Sequence, residues 1–147
     1  MSAYREFFAE LVSTEIDLWN QLDRALLAET GISAAQLQAL EAIAKLDGAA
    51  RVQDVSDTLQ ITVGAASKLI DRLERDGLAA RSPHPGDRRS MIIRLSSSGV
   101  TVLRQASAAA DANLERFLGG HVAPEEAEAL ARALRSVRHA AVRGVLA

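Results

Sequence analysis

A mostly helical (α+β) fold carrying one small β-hairpin is what this 147-residue sequence predicts, and three observations predict it. Apolar residues recur at three- and four-residue steps along most of the chain, and proline, the residue helices tolerate least, occurs only three times. Between Val52 and Leu95, two short helical patterns joined by a tight turn lead into two short apolar runs that flank Pro83-His84-Pro85-Gly86-Asp87-Arg88-Arg89. That order of parts is what a winged helix-turn-helix needs. Longer amphipathic segments lie on either side of it.

The first segment runs from Tyr4 to about Glu29, with Phe8, Leu11, Val12, Ile16, Trp19, Leu22 and Leu26 on one stripe, and Gly31 stops it. Ser33 is placed to cap a second helix from Ala34 to Lys45, closed by Asp47-Gly48. Arg51-Val52 is expected to pair as a minimal strand. Val55, Thr58 and Leu59 then mark a short helix ending near Gln60. Thr62 offers a hydroxyl cap to a helix from Val63 to about Asp76, and Gly77 ends it in the left-handed conformation. Leu78 to Ser82 and Ser90 to Leu95 form the expected hairpin, its first strand supported by little beyond Leu78 and two alanines. Ser96 or Ser97 caps a further helix reaching Leu118, which Gly119-Gly120 breaks. Pro124, followed by Glu125-Glu126, opens a last helix with Ala127, Leu130, Leu134, Val137, Ala141 and Val145 in register.

One compact protomer is expected. Residues 34–96 would form the winged helix-turn-helix, and residues 1–33 with 97–147 a helical dimerisation region. The outer helices carry more apolar stripe than so small a centre can cover, so a homodimer with the N- and C-terminal helices as its interface is expected. The plainer alternative is a bundle folded back on its own chain.

Composition excludes several classes of function. With no cysteine, disulfides, thiolate metal sites and thiol redox sensing are ruled out chemically. His84, His121 and His139 are too scattered to suggest a preformed metal site, so no metal and no cofactor are expected. No glycine-rich phosphate loop or catalytic spacing of serine, histidine and carboxylate is present, which argues against an enzyme. The N-terminus leads into an amphipathic pattern rather than a signal peptide, and no apolar run approaches a membrane span. A soluble cytoplasmic protein without a membrane partner is the expectation. The net charge of −2 divides unevenly: residues 51 to 95 hold eight Arg/Lys against six acids, a local +2 that leaves −4 elsewhere.

Counting at about 100° per residue orients the helix that starts at Val63. Ala66, Leu69, Ile70 and Leu73 fall on one stripe, to pack on Val55 and Leu59; Gly64, Lys68, Asp71 and Arg75 fall opposite. A recognition helix enters the major groove with its N-terminal residues against base edges. Gly64 and Ala65 would let the backbone approach, Thr62 would donate to a phosphate, and Lys68 would reach a guanine or a phosphate. Arg72 and Arg75 would hold the backbone strand, unless Arg75 simply pairs with Asp71 at i,i+4 on a solvated face. In the loop, Arg88 and Arg89 suit a narrow minor groove, and Asp87 is expected to pair with a neighbouring arginine to fix the loop's shape. Double-stranded DNA is the partner these residues point to. A winged-helix module that binds protein instead is the rival reading.

Three segments together carry a family resemblance: Val55-Ser56-Asp57-Thr58-Leu59-Gln60-Ile61-Thr62, Ser67-Lys68-Leu69-Ile70-Asp71-Arg72-Leu73-Glu74-Arg75-Asp76-Gly77-Leu78, and Arg81 with Asp87-Arg88-Arg89-Ser90 to Gly99. At this spacing the chain resembles the MarR family of bacterial transcription regulators, over essentially its whole length. The resemblance implies a homodimer on a pseudo-palindromic operator, usually a repressor relieved by a small, often aromatic or anionic, effector. It also implies an effector site between the dimer helices and the reading head. There Trp19, with Leu18 and Leu22, would stack on an aromatic ligand and Arg24 would pair with a carboxylate; in the plainer reading Trp19 is core and Arg24 surface. The chain departs from the family in having His84-Pro85 where an acid-proline pair is usual, and in the small residues Val63-Gly64-Ala65-Ala66 that open its recognition helix. The absent cysteine sets it apart from the peroxide-sensing branch.

Overall fold

The computed structural model describes residues 1–144. It contains six helices and one hairpin in the order α1 (Ala3–Thr30), α2 (Ala34–Lys45), α3 (Val52–Leu59), α4 (Val63–Arg75), β1 (Ala79–His84), β2 (Asp87–Leu95), α5 (Ser97–Leu118) and α6 (Pro124–Gly144). The helical expectations hold to within a residue or two at most ends. Val145, assigned above to the last helix, lies outside the described residues.

Local chemistry sets these boundaries. Gly31 ends α1 at φ 77°, its N–H donating to Leu27 O. Ser33 and Gln36 form a reciprocal capping box at the start of α2: the Ser33 hydroxyl accepts from Gln36 N at 3.1 Å, and Gln36 Oε1 accepts from Ser33 N at 2.9 Å. Asp23 of α1 adds a third acceptor, taking the Ala34 N–H at 2.8 Å and tying α1 to that same helix end. Ser96 caps α5, its Oγ accepting from Gly99 N at 3.0 Å.

Two expectations need correction. The short strand before α3 is not Arg51-Val52: Ala50 makes the isolated bridge, its carbonyl accepting from Ile93 N at 2.8 Å. Val52 is already helical, because Asp54 Oδ2 accepts the Arg51 N–H at 2.7 Å and so caps the helix one residue earlier. The hairpin strands are also longer than expected. They pair antiparallel from Ala79↔Leu95 to His84↔Asp87, leaving only Pro85-Gly86 as the connection, with an irregularity between Pro83 and His84. Arg88 and Arg89 therefore lie on β2 just beyond the turn, not in an open loop.

The chain divides into two compact units, Met1–Asp111 and the remainder from Ala112. In the first, Leu40, Ile43, Val55, Ile70, Leu73 and Ile93 are fully buried in one core, to which α2, α3, α4 and the hairpin all contribute. The N-terminal half of α1 stays outside it: Tyr4, Phe8 and Ile16 are 86%, 67% and 50% exposed. In the second unit α6 buries no residue, and Leu130, Val137 and Val142 are likewise exposed. No helix among the described residues is long and apolar enough to cross a membrane.

Candidate nucleic-acid interface

Helices α3 and α4 form the helix-turn-helix, hinged at Gln60, a non-glycine residue in the left-handed region at φ 54°. The Ser56 hydroxyl donates to Ile61 O at 2.7 Å and locks the turn. The expected stripe of Ala66, Leu69, Ile70 and Leu73 is buried, and it packs with buried Val55 and half-buried Leu59 of α3. The orientation of α4 follows from that burial. Thr62, Gly64, Ala65, Lys68, Asp71, Arg72 and Arg75 are all exposed.

Thr62 caps α4, its Oγ1 accepting from Ala65 N at 3.1 Å. The cap uses one of the two lone pairs of the hydroxyl and leaves its O–H as a donor. The first turn of α4 thus offers unpaired backbone N–H groups, a donor hydroxyl and no bulk at Gly64 or Ala65, which is chemistry suited to phosphate and base edges.

Asp71 does not pair with Arg75. Its Oδ1 accepts from Arg81 Nη1 at 2.7 Å, and the same nitrogen reaches Glu74 Oε1 at 2.6 Å. Arg81 Nη2 donates to both Ser67 O and Ser67 Oγ at 3.2 Å. One guanidinium from β1 therefore spans residues 67, 71 and 74 of α4, a single face at helical spacing. Burial alone would lower the Arg81 pKa; the hydrogen bonds and charges of Asp71 and Glu74 outweigh it and raise the pKa. A raised folded-state pKa means the contribution is complete below the unfolded value and is lost only as pH climbs through the folded one, so Arg81 is a cation at any working pH. Sequence spacing alone missed this residue as part of the site. The signal was two acids, Asp71 and Glu74, on a helix otherwise lined by cations.

At the hairpin end, Asp87 takes a different partner from the one expected. Its Oδ1 accepts from the backbone N–H of Arg89 at 3.0 Å, since a carboxylate beside the turn finds an amide two residues on before it finds a guanidinium. His84 Nδ1 accepts from Gly86 N at 2.9 Å, so the imidazole fills an acceptor role at the turn. Arg88 and Arg89 are exposed, and neither side chain is engaged in an ion pair within the chain among the described residues.

Trp19 and Leu22 are half-buried against the core, Leu18 is half-buried and Arg24 is exposed. A cavity of about 340 Å³ opens elsewhere, lined by Ile43, Asp47, Gly48, Arg94, Leu95 and Val100 among others. No group of three or more His, Asp or Glu able to hold a metal occurs among the described residues.

Residues 30–90 match the MarR family. Over 143 residues the chain is 25% identical to the multiple antibiotic resistance protein MarR of Escherichia coli (strain K12), covering 93% of this chain and 99% of that one. Among solved structures, Sco3205, a MarR family transcriptional regulator from Streptomyces coelicolor in complex with DNA, matches with a TM-score of 0.84 at 22% identity, over 95% of this chain and 89% of that one. CouR from Rhodococcus jostii RHA1, bound to p-coumaroyl-CoA, matches with a TM-score of 0.79 at 22% identity, over 93% of this chain and 95% of that one. At such identities the structural likeness establishes the fold.

Proposed function

We propose that the chain is a MarR family transcription regulator, not an enzyme, and that it binds a pseudo-palindromic operator in duplex DNA as a homodimeric repressor. One observation carries the reading: a helix-turn-helix whose second helix exposes a small-residue, cation-bearing face is joined directly to a hairpin with two unpaired arginines beyond its turn. Thr62, Gly64, Ala65 and Lys68 enter the major groove; Arg72 and Arg75 hold phosphates. Arg88 and Arg89, with Asp87 shaping the backbone between them, reach the minor groove.

The bare apolar faces of α1 and α6 support a second copy as their cover. A two-fold dimer places two reading heads on half-sites separated by about one helical turn of DNA, roughly 34 Å. Bound there, the protein blocks transcription until a small molecule releases it. Trp19, Leu18, Leu22 and Arg24 would meet an aromatic, anionic effector, a class in keeping with the acyl-CoA held by CouR.

Selection of duplexes from randomised sequence by the intact protein tests this reading. A pseudo-palindrome with half-sites one helical turn apart is the expected product, and a screen of aromatic acids for loss of that binding then tests the effector. Absence of any enriched duplex, with stable capture of a protein partner instead, would make the chain an interaction module.

A further inference from the structure

Arg81 sits where the hairpin meets the recognition helix, and its bonding suggests more than surface pairing. Among the described residues, every side-chain hydrogen bond between the hairpin and α4 comes from this one guanidinium. Its side chain is only 19% exposed, against 62% for Asp71, so the arginine is held and the carboxylates come to it. The root of the residue is equally fixed. Arg81 pairs across the sheet with Ile93, which is fully buried and itself bonded to Ala50.

Beyond that anchored base the hairpin is a lever. His84 lies three residues further along β1, about 10 Å at roughly 3.3 Å per residue, so a small tilt at Arg81 displaces the arginine-bearing end by ångströms. A planar guanidinium bonded on both arms resists that tilt in a way a single-point ammonium does not. The same contact engages both Asp71 and Glu74, the two acids on a face that also carries Ser67, and offsets one of their two negative charges.

We propose that Arg81 is a positioning residue that fixes the hairpin's angle to α4, so that the major-groove helix and the minor-groove arginines engage DNA as one rigid unit. The inference rests on the DNA-binding reading above. Arg81 itself touches no DNA in this scheme.

The test uses the intact protein and a duplex it has selected from randomised sequence. Arg81→Met, which keeps length and apolar stem, is expected to weaken binding about tenfold. At saturating protein, protection of guanine N7 from dimethyl sulfate in the major groove should persist, while protection from hydroxyl radicals where the hairpin meets the minor groove should disappear. A merely structural role would erode both protections together. Affinity within twofold of the unaltered chain, or parallel fading of both protections, overturns the proposal. If circular dichroism shows Arg81→Met unfolded, Arg81→Lys takes its place, with the same split expected at a smaller loss. An unaltered chain that selects no duplex overturns the DNA-binding reading itself; an unaltered chain that binds, beside a variant that binds equally, overturns only the role of Arg81.

Discussion

Lys68 and Arg75 both project from the exposed side of α4 and carry the same charge, yet they stand at different depths on the helix, one turn and three turns from its start. Lys68→Ala is therefore expected to change which duplexes the protein prefers, whereas Arg75→Ala should weaken all of them alike. Binding across a panel of single-base operator variants separates the two; equal effects everywhere would reassign Lys68 to the phosphates. Gly99 makes a different kind of demand. A Cβ there would run into Leu78 O, a backbone carbonyl that itself accepts from Ser96 N at 3.0 Å, so Gly99→Ala forces the start of α5 off the hairpin. A destabilisation of about 2 kcal/mol is expected in urea unfolding, and an unchanged midpoint would mean that the crowding relaxes freely. At this scale the sequence placed the residues well but not always their partners. Asp71 and Arg75 satisfy the i,i+4 rule, but the rule sees only one helix, and Arg81 outcompetes Arg75 because the strand brings it in at hydrogen-bonding distance of two carboxylates at once.

Elements were legible where a cap or a glycine announced them. Ser33, Thr62 and Ser96 each accept the backbone N–H that the sequence assigned to a capping residue, and Gly31 and Gly77 take the positive φ expected of helix stops. The hairpin was harder to read. Ala79 and Ala80 carry no strand preference, and their pairing comes from the partner strand, where Ile92 and Ile93 are buried. Ala50 was missed for the same reason: a bridge of one residue leaves no periodicity to detect. The recognition helix invites a test at its cap. Thr62→Ser keeps the oxygen that accepts from Ala65 N and should leave stability nearly unchanged, while Thr62→Ala should cost about 1 kcal/mol. If Thr62 also donates to a phosphate, the alanine variant loses affinity beyond what its stability explains. Equal DNA binding by the serine and alanine variants would confine Thr62 to capping.

At the scale of the whole molecule, the apolar residues left over by the fold are as informative as those it buries. Tyr4, Phe8, Leu11, Val12 and Ile16 on α1, and Leu130, Leu134 and Val137 on α6, are exposed at helical spacing. Their stripes were plain in the sequence, but a single chain holds no record of what covers them. On the proposed dimer, Phe8→Glu should yield a monomer by sedimentation velocity and weaken operator binding with it, since one protomer would grip only one half-site. A variant that stays dimeric would move the interface away from α1. Net charge is the other property of the whole that misleads when undivided. A chain of −2 binds a polyanion only if its cations are gathered, and here Arg88 and Arg89 stand exposed beyond the turn while the acids on α4 are engaged by Arg81. The most direct measurement is operator affinity against salt concentration for the unaltered protein and for Arg88→Ala with Arg89→Ala. The paired substitution should weaken binding several-fold and make the slope of log K on log salt shallower by about 0.9 for each phosphate no longer neutralised; unchanged affinity with an unchanged slope would contradict a minor-groove role for the hairpin.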